Sequence, residues 1–467
     1  MEGRKQKIPN TCNSRQIDRT ASDRYDGVQT YIGISDNSLT EVQPTEKKLL
    51  EEILSPANLN LAYKQVVGNK GSGGIDKMGT DDLLPYLSEH NETIVSSLYA
   101  GTYRPNPVRR VDIPKDNGKT RQLGIPTVVD RLIQQAIAQV LTRIYDADFS
   151  PSSYGFRPGR SCHQALERAQ NIINDGYHYA VDIDLEKFFD TVNQSKLIEV
   201  LSRKIKDGRV VSLIHKYLRA GVMIGVRHEE SHEGVPQGSP LSPLLGNIML
   251  DEFDKELERR GHPFVRYADD GLIFSRSLRA AERVKDSITR FIEKRLYLRV
   301  NKEKTSFGKV FGMKFLGYSF YNRDGECRLC VHPKSSEKMK SRIKSLTGRS
   351  SGKSHESRKT SLKQFITGWV QYFKLADMKS LLRKTDAWLR RRIRMCIWKC
   401  WKKIKTRYDN LKRCGIDKNV AWMHANTRKS YWRTALSPIL TTSISNDKLC
   451  QAGYVFLSDV YGKLHHK

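Results

Sequence analysis

Two short stretches place acid where a folded chain seldom keeps it. In "FVRYADDGLIF" (264–274), Asp269 and Asp270 are adjacent between two apolar, strand-like runs, and Asp-Asp-Gly reads as a hairpin turn. In "AVDIDLEKFFDTV" (180–192), the two-residue strand period sets Asp182 and Asp184 on one face and Ile183 and Leu185 on the other. The Asp-Asp pair alone reads more simply as a solvated turn. A second acidic strand changes that balance, because paired acids on a buried sheet need a counter-charge. With the strand beside the hairpin, three or four carboxylates converge, and a hard divalent cation relieves their repulsion. Two such ions about 3.5–4 Å apart suit phosphoryl or nucleotidyl transfer.

The elements that must hold these acids are legible as an α+β order. "VRRVDIP" and "TRQLGIP" (108–114, 120–126) predict a hairpin turning through "KDNGK"; "HYAVDIDL" (178–185) and "MKFLGYSFY" (313–321) predict strands. Amphipathic helices are expected over 130–145, 240–260 and 277–298, and a helix-like segment over 44–68. Residues 1–44 are polar and aperiodic, which predicts a flexible arm. "SSGKSHESRKT" (350–360) reads as Ser/Lys-rich linker, residues 336–360 as a whole as the connection to the C-terminal region, and the pattern beyond as nearly all helical. In 381–408, Leu382, Leu389, Ile393, Cys396, Ile397, Cys400, Ile404 and Tyr408 form one apolar stripe, so Cys396 and Cys400 are expected in the core.

The 467 residues carry 81 Lys+Arg against 51 Asp+Glu, a net charge of +30 and a pI near 9.8. From 334 to 433 there are 29 Lys+Arg, 6 Asp+Glu and all six tryptophans. So localised an excess implies a polyanionic partner, nucleic acid before membrane surface. Cations beside tryptophans suit folded RNA, although about four of the six rings are expected in the core. No apolar run has the roughly 18 residues of a membrane span, and the N-terminus has no signal-like apolar stretch. The eight cysteines follow no secreted disulfide pattern, and Cys327 and Cys330 have no second pair at zinc spacing. A cytoplasmic protein is expected.

"YADD", with "VPQGSPLSPLLGNIMLDEFD" and "VDIDLEKFFDTV", resembles the palm motifs of reverse transcriptases. Blocks at 101–137, 153–166, 296–305, 315–320 and 366–374 ("ITGWVQYFK") extend the resemblance to the group II intron-encoded reverse transcriptases, or maturases, over roughly residues 46–460. The resemblance implies a right-hand polymerase: fingers and palm over 45–335, a helical thumb (maturase domain X) over 361–410 and a basic RNA- or DNA-binding region over 411–467. It implies a lineage without the family's C-terminal endonuclease. It implies Asp184, Asp269 and Asp270 as ligands for two Mg²⁺ ions, with Mn²⁺ able to substitute and Asp182 as the competing candidate. Phe189 is then the gate against a 2′-hydroxyl, with Phe188 in the core. Lys115 and Arg121 grip the incoming triphosphate, Gln237 and Gly238 lie along template and nucleotide, and Lys304 stands near the triphosphate. The loop "NKGSGGID" (69–76) becomes a lid over template and primer, and Arg157 and Arg160 contact template backbone. Gln194 departs from the family, where His is common after "VN". Implied partners are group II intron RNA, an RNA template with DNA primer, target DNA and dNTPs, in a bacterial cytoplasm with the nucleoid. The oligomeric state stays open, a dimer included. A degenerate polymerase fold serving only as a splicing factor is the second reading, which the complete set of acids disfavours. A retron-type or defence-associated reverse transcriptase is the third.

Overall fold

The computed structural model describes residues 48–114, 120–350, 352 and 354–465. Its strands are β1 Val108–Pro114, β2 Thr120–Ile125, β3 Tyr179–Ile183, β4 Val222–Ile224, β5 Arg227–Glu229, β6 Phe264–Tyr267, β7 Asp270–Ser275, β8 Ser306–Lys309, β9 Lys314–Phe315, β10 Tyr318–Arg323 and β11 Glu326–Val331. They form three sheets, in the orders β2-β1-β4-β5, β6-β7-β3-β8 and β11-β10-β9. Only the β1–β4 pairing is parallel among these ladders.

The β6-β7-β3-β8 sheet is covered on both faces, and strand alternation decides which residue faces which. Val181, Ile183, Phe264 and Ile273 join one core with the helices Ser242–Arg259 and Leu278–Arg295. Ala180, Val265, Leu272 and Phe274 join another, with the helix Cys162–Asn174, the β9–β11 sheet and most of the C-terminal helices. A single apolar core therefore runs from Tyr154 to Tyr461. The charge boundary near 335 does not divide it.

The predicted helices over 130–145, 240–260 and 277–298 are present as Val128–Asp146, Ser242–Arg259 and Leu278–Arg295. The segment from 44 instead breaks into Leu49–Ile53 and Pro56–Gly68, because Ser55 caps a new helix with Pro56 at its first position. "MKFLGYSFY" splits into β9 and β10: Leu316 (φ 48°) and Gly317 (φ 81°) turn the chain through the left-handed region. The linker expected over 336–360 is corrected. Helices occupy Pro333–Leu346 and His355–Tyr372, since Met339, Ile343 and Leu346 make a helical apolar stripe hidden among Ser and Lys. The stripe over 381–408 also breaks, with the helix ending at Cys400 and a new one starting at Ile404. Cys396 is buried, but Cys400 and Ile404 are exposed, contrary to the single-stripe reading. Trp398 is fully buried and Trp369, Trp388 and Trp401 pack against the same core. Trp432 lies beneath the Arg391 guanidinium at 3.8 Å, and Trp422 is exposed. The arm proposed for 1–44 lies outside the described residues.

Candidate active site

The carboxylates meet because β3 is the strand next to β7. The register pairs Asp182 with Leu272 and Ile183 with Gly271, and its continuation sets Asp184 opposite Asp270. Residues directly opposite share a sheet face. Asp182, Asp184 and Asp270 thus line one face at the end of the sheet. Asp269 sits at the tip, in the two-residue turn between Tyr267 and Asp270, where Ala268 takes φ 57°.

Asp184 is fixed by its backbone. Its N–H donates to Thr305 Oγ1 at 3.2 Å and its carbonyl accepts from the Asn301 N–H at 2.9 Å. The hairpin tip is fixed by Arg266, buried under the sheet. Arg266 Nε donates to both oxygens of Asp254 at 2.7 and 3.0 Å, and Nη1 donates to Asn247 Oδ1 at 3.0 Å and to the Ala268 carbonyl at 2.9 Å. The strand "FVRY" thereby anchors the acid-bearing turn to the helix Ser242–Arg259. Sequence reading passed over this residue, although a lone charge inside an apolar strand was its signal. Gly155 presses against the same turn: a Cβ there would lie 2.2 Å from the Ala268 nitrogen.

Like charge and burial act on the cluster together. Burial, then Asp269 and Asp184, raise the Asp270 carboxyl to about 6, against the pull of Lys314 and Lys304. Asp270 opens to the cleft, while protein crowds its other sides. Burial, then Asp270 and Asp184, lift Asp182 to about 6 as well. Asp182 therefore belongs to the electrostatic cluster.

Asp184, Asp269 and Asp270 line a cleft of about 810 Å³ with Arg121, Phe189, Gln237 and Lys304. Arg121 on β2 donates from Nε to Gln237 Oε1 at 2.8 Å, tying the hairpin to the "PQGSP" loop. The Gly124 N–H donates to the Gln237 carbonyl at 2.7 Å, and Gly238 takes φ +107° so close to Gly124 that a Cβ would lie 3.1 Å from its carbonyl oxygen. Phe189 is half-buried at the cleft wall, edge-on to the buried Phe188 with centroids 5.0 Å apart. Gly246 gives both rings room, since a Cβ there would meet them at 3.1 and 3.2 Å. Lys304 Nζ lies 3.2 Å from each carboxylate oxygen of Asp184. Lys115 falls outside the described residues.

Other expectations divide. Arg157 is a correction: it is buried, bonding the Asp146 side chain and carbonyl and the Ser150 and Ser153 carbonyls. Its guanidinium builds the turn from within. Arg160 is exposed, stacked over Tyr154. The glycine-rich loop is pinned by Arg109 to the Gly73 carbonyl and by Arg131 to the Ser72 carbonyl, at 2.8 and 2.6 Å. Gln194 is buried and donates to the Leu218 and Gly234 carbonyls at 3.0 Å each, bracing the loop behind Phe189.

The donor set at the cleft is all oxygen, which fits a hard divalent ion. Among the described residues, no three His, Cys, Asp or Glu side chains form a ready-made metal cage. Such an ion would draw its remaining ligands from substrate phosphates and water, as magnesium does. No helix of the described residues is long and apolar enough to cross a membrane.

Residues 113–320 match the reverse transcriptase (RNA-dependent DNA polymerase) family, and residues 336–415 match the group II intron maturase-specific domain. The chain is 33% identical over 328 residues to Protein YkfC of Escherichia coli (strain K12), covering 61% of this chain and 86% of that protein. It is 40% identical over 224 residues to the group II intron-encoded protein LtrA of Lactococcus lactis subsp. cremoris, covering 48% of this chain but only 37% of LtrA. A chain of a partial Cas6-RT-Cas1–Cas2 complex is 29% identical, covering 53% of this chain and 42% of that chain, with a TM-score of 0.35. Reverse transcriptase domains work with divalent metal ions, in keeping with the oxygen donors of the cleft. With a polymerase region followed directly by an intron maturase region, the chain belongs to the group II intron-encoded reverse transcriptases, RNA-directed DNA polymerases that are also maturases.

Proposed function

We propose that this protein copies its intron RNA into DNA from a DNA primer, using dNTPs, and holds the same RNA during splicing. The observation that carries the reading is the shared cleft: three acids, a hairpin arginine, an aromatic wall and a glutamine–glycine loop line one space of about 810 Å³. Asp184, Asp269 and Asp270 hold two Mg²⁺ ions, which Mn²⁺ replaces. Bound there, the pair would supply positive charge to the attacking 3′-oxygen and the leaving pyrophosphate.

The chain's own residues do the rest. Arg121, together with Lys115, takes the triphosphate and offsets charge that grows on the leaving group. Phe189 fills the space beneath the sugar, so a 2′-hydroxyl meets a ring. Gln237 and Gly238 bring backbone close to template and nucleotide, and Lys304 supplies a further cation. Fingers and palm extend over 45–335, the helical thumb over 361–410 and the basic nucleic-acid-binding region over 411–467. Target DNA is the further partner, and a bacterial cytoplasm with its nucleoid is the setting.

Primer extension on an RNA template tests this. Asp269→Ala should lower extension by at least about a thousandfold, in the range of losing preorganised charge stabilisation, and leave RNA affinity within about twofold. Continued synthesis by that variant overturns the assignment.

A further inference from the structure

Lys304 enters the polymerase reading as a cation for the triphosphate, yet its ammonium is engaged elsewhere. It bonds both oxygens of Asp184 at 3.2 Å. The contact follows from strand order. β3 lies between β7 and β8, and the continuing registers set Asp184 opposite Asp270 on one side and Lys304 on the other. Asp184 thus has an acid on one flank and a base on the other. Its backbone is clamped by Asn301 and Thr305, the turn that carries Lys304, so the acid is fixed and the lysine is the mobile partner. The lysine side chain is 66% exposed, against 31% for the aspartate. An exposed pair of this kind holds only weakly.

Without metal, Asp182, Asp184 and Asp270 repel one another, and Lys304 supplies compensating charge. A divalent ion at Asp184 would need the same oxygens and would repel an ammonium a few ångströms away. The two cations therefore compete. An arriving triphosphate offers the released ammonium a new anionic partner inside the same cleft.

We propose that Lys304 is the resident counter-ion of the nucleotide-free protein, occupying at Asp184 the place a divalent cation needs and moving to the triphosphate when metal and nucleotide enter. Metal and nucleotide affinity are then coupled through one side chain, and the coupling is reciprocal. The inference rests on Asp184 being a metal ligand.

The test is Mn²⁺ binding to the full chain, followed by loss of the free-ion electron paramagnetic resonance signal, without and then with a dNTP on a chain-terminated primer–template. Lys304→Met should bind Mn²⁺ roughly three- to tenfold tighter than wild type without nucleotide, from removal of one nearby positive charge. It should also lose part of the further tightening that nucleotide brings. Lys302→Met, in the same turn, should bind as wild type does. Unchanged or weaker Mn²⁺ binding by Lys304→Met overturns the counter-ion role. Asp184→Asn separates this from the reading beneath it: if Mn²⁺ binding is indifferent to Asp184→Asn, the metal site itself is wrong.

Discussion

Phe188 and Phe189 stand one residue apart and differ in what surrounds them. Phe188 is buried in the core beneath the cleft, and Phe189 is half-buried on the cleft wall. Phe188→Ala should cost about 3–5 kcal/mol of stability, as large-to-small core changes do. Phe189→Val should leave the melting temperature nearly unchanged and raise ribonucleotide incorporation, read as the ratio of kcat/KM for rNTP and dNTP. An unaltered ratio would remove the gate role. Asp182 makes a second prediction at this scale. Its carboxyl is raised to about 6, above the roughly 3.9 of an unfolded chain. A carboxyl whose pKa is higher in the folded state costs stability at neutral pH, and the cost fades as pH falls from about 6 towards 4. Asp182→Asn should therefore raise the melting temperature of the metal-free protein at pH 7.5 and lose that advantage near pH 4. An equal gain at both pH values would show that packing, not charge, is responsible.

At the scale of elements, the acid-bearing turn is only as well placed as the Arg266–Asp254 pair beneath it. Both side chains are almost wholly buried, and the arginine also holds the Ala268 carbonyl and Asn247. Breaking a buried pair from one side costs about 3–5 kcal/mol, since it strands the other charge. Arg266→Met should reach that range in urea unfolding, and Arg266→Met with Asp254→Leu should recover much of it. Extension activity should stay low in the double variant, because the hydrogen bond to Ala268 is still missing. Recovered activity would make Arg266 a matter of stability alone. The C-terminal helices are seated by a comparable long-range device: Asp386 accepts the Leu457 and Ser458 N–H groups at 2.9 and 2.8 Å, capping the helix Leu457–His465 from 71 residues away.

For the whole molecule, the core shared by residues 154–461 makes the C-terminal helices part of the polymerase's support. Tyr372 donates to the Leu316 carbonyl at 2.9 Å and its own carbonyl pairs with His163 at 2.7 Å, fastening the helix His355–Tyr372 to the β9–β10 turn and the helix Cys162–Asn174. A chain stopped at 335 would expose the apolar faces of β10 and β11. It should aggregate or melt far below the full chain; a soluble fragment with an unchanged melting temperature would refute the shared core. The +23 surplus of 334–433 predicts intron RNA binding that weakens steeply with salt, losing roughly 10³-fold between 50 and 200 mM if six or more phosphates are neutralised. A nearly flat salt response would turn that charge into mere solubility.

Composition and spacing by themselves determined the polyanion partner, the α+β class, the acids on one strand face and the hairpin that carries Asp269 and Asp270. Those are local properties: charge counts, a two-residue period and turn chemistry. The tertiary structure decided which strand neighbours which, and hence that Asp184 lies between Asp270 and Lys304. It decided that Arg157 is spent on Asp146 and on backbone carbonyls while Arg121 faces the cleft, although the resemblance gave both a contact with substrate. It decided that helices occupy Pro333–Leu346 and His355–Tyr372, because the core they join was invisible along the chain. Long-range pairing depends on what each side chain meets across tens or hundreds of residues, and no local period encodes that.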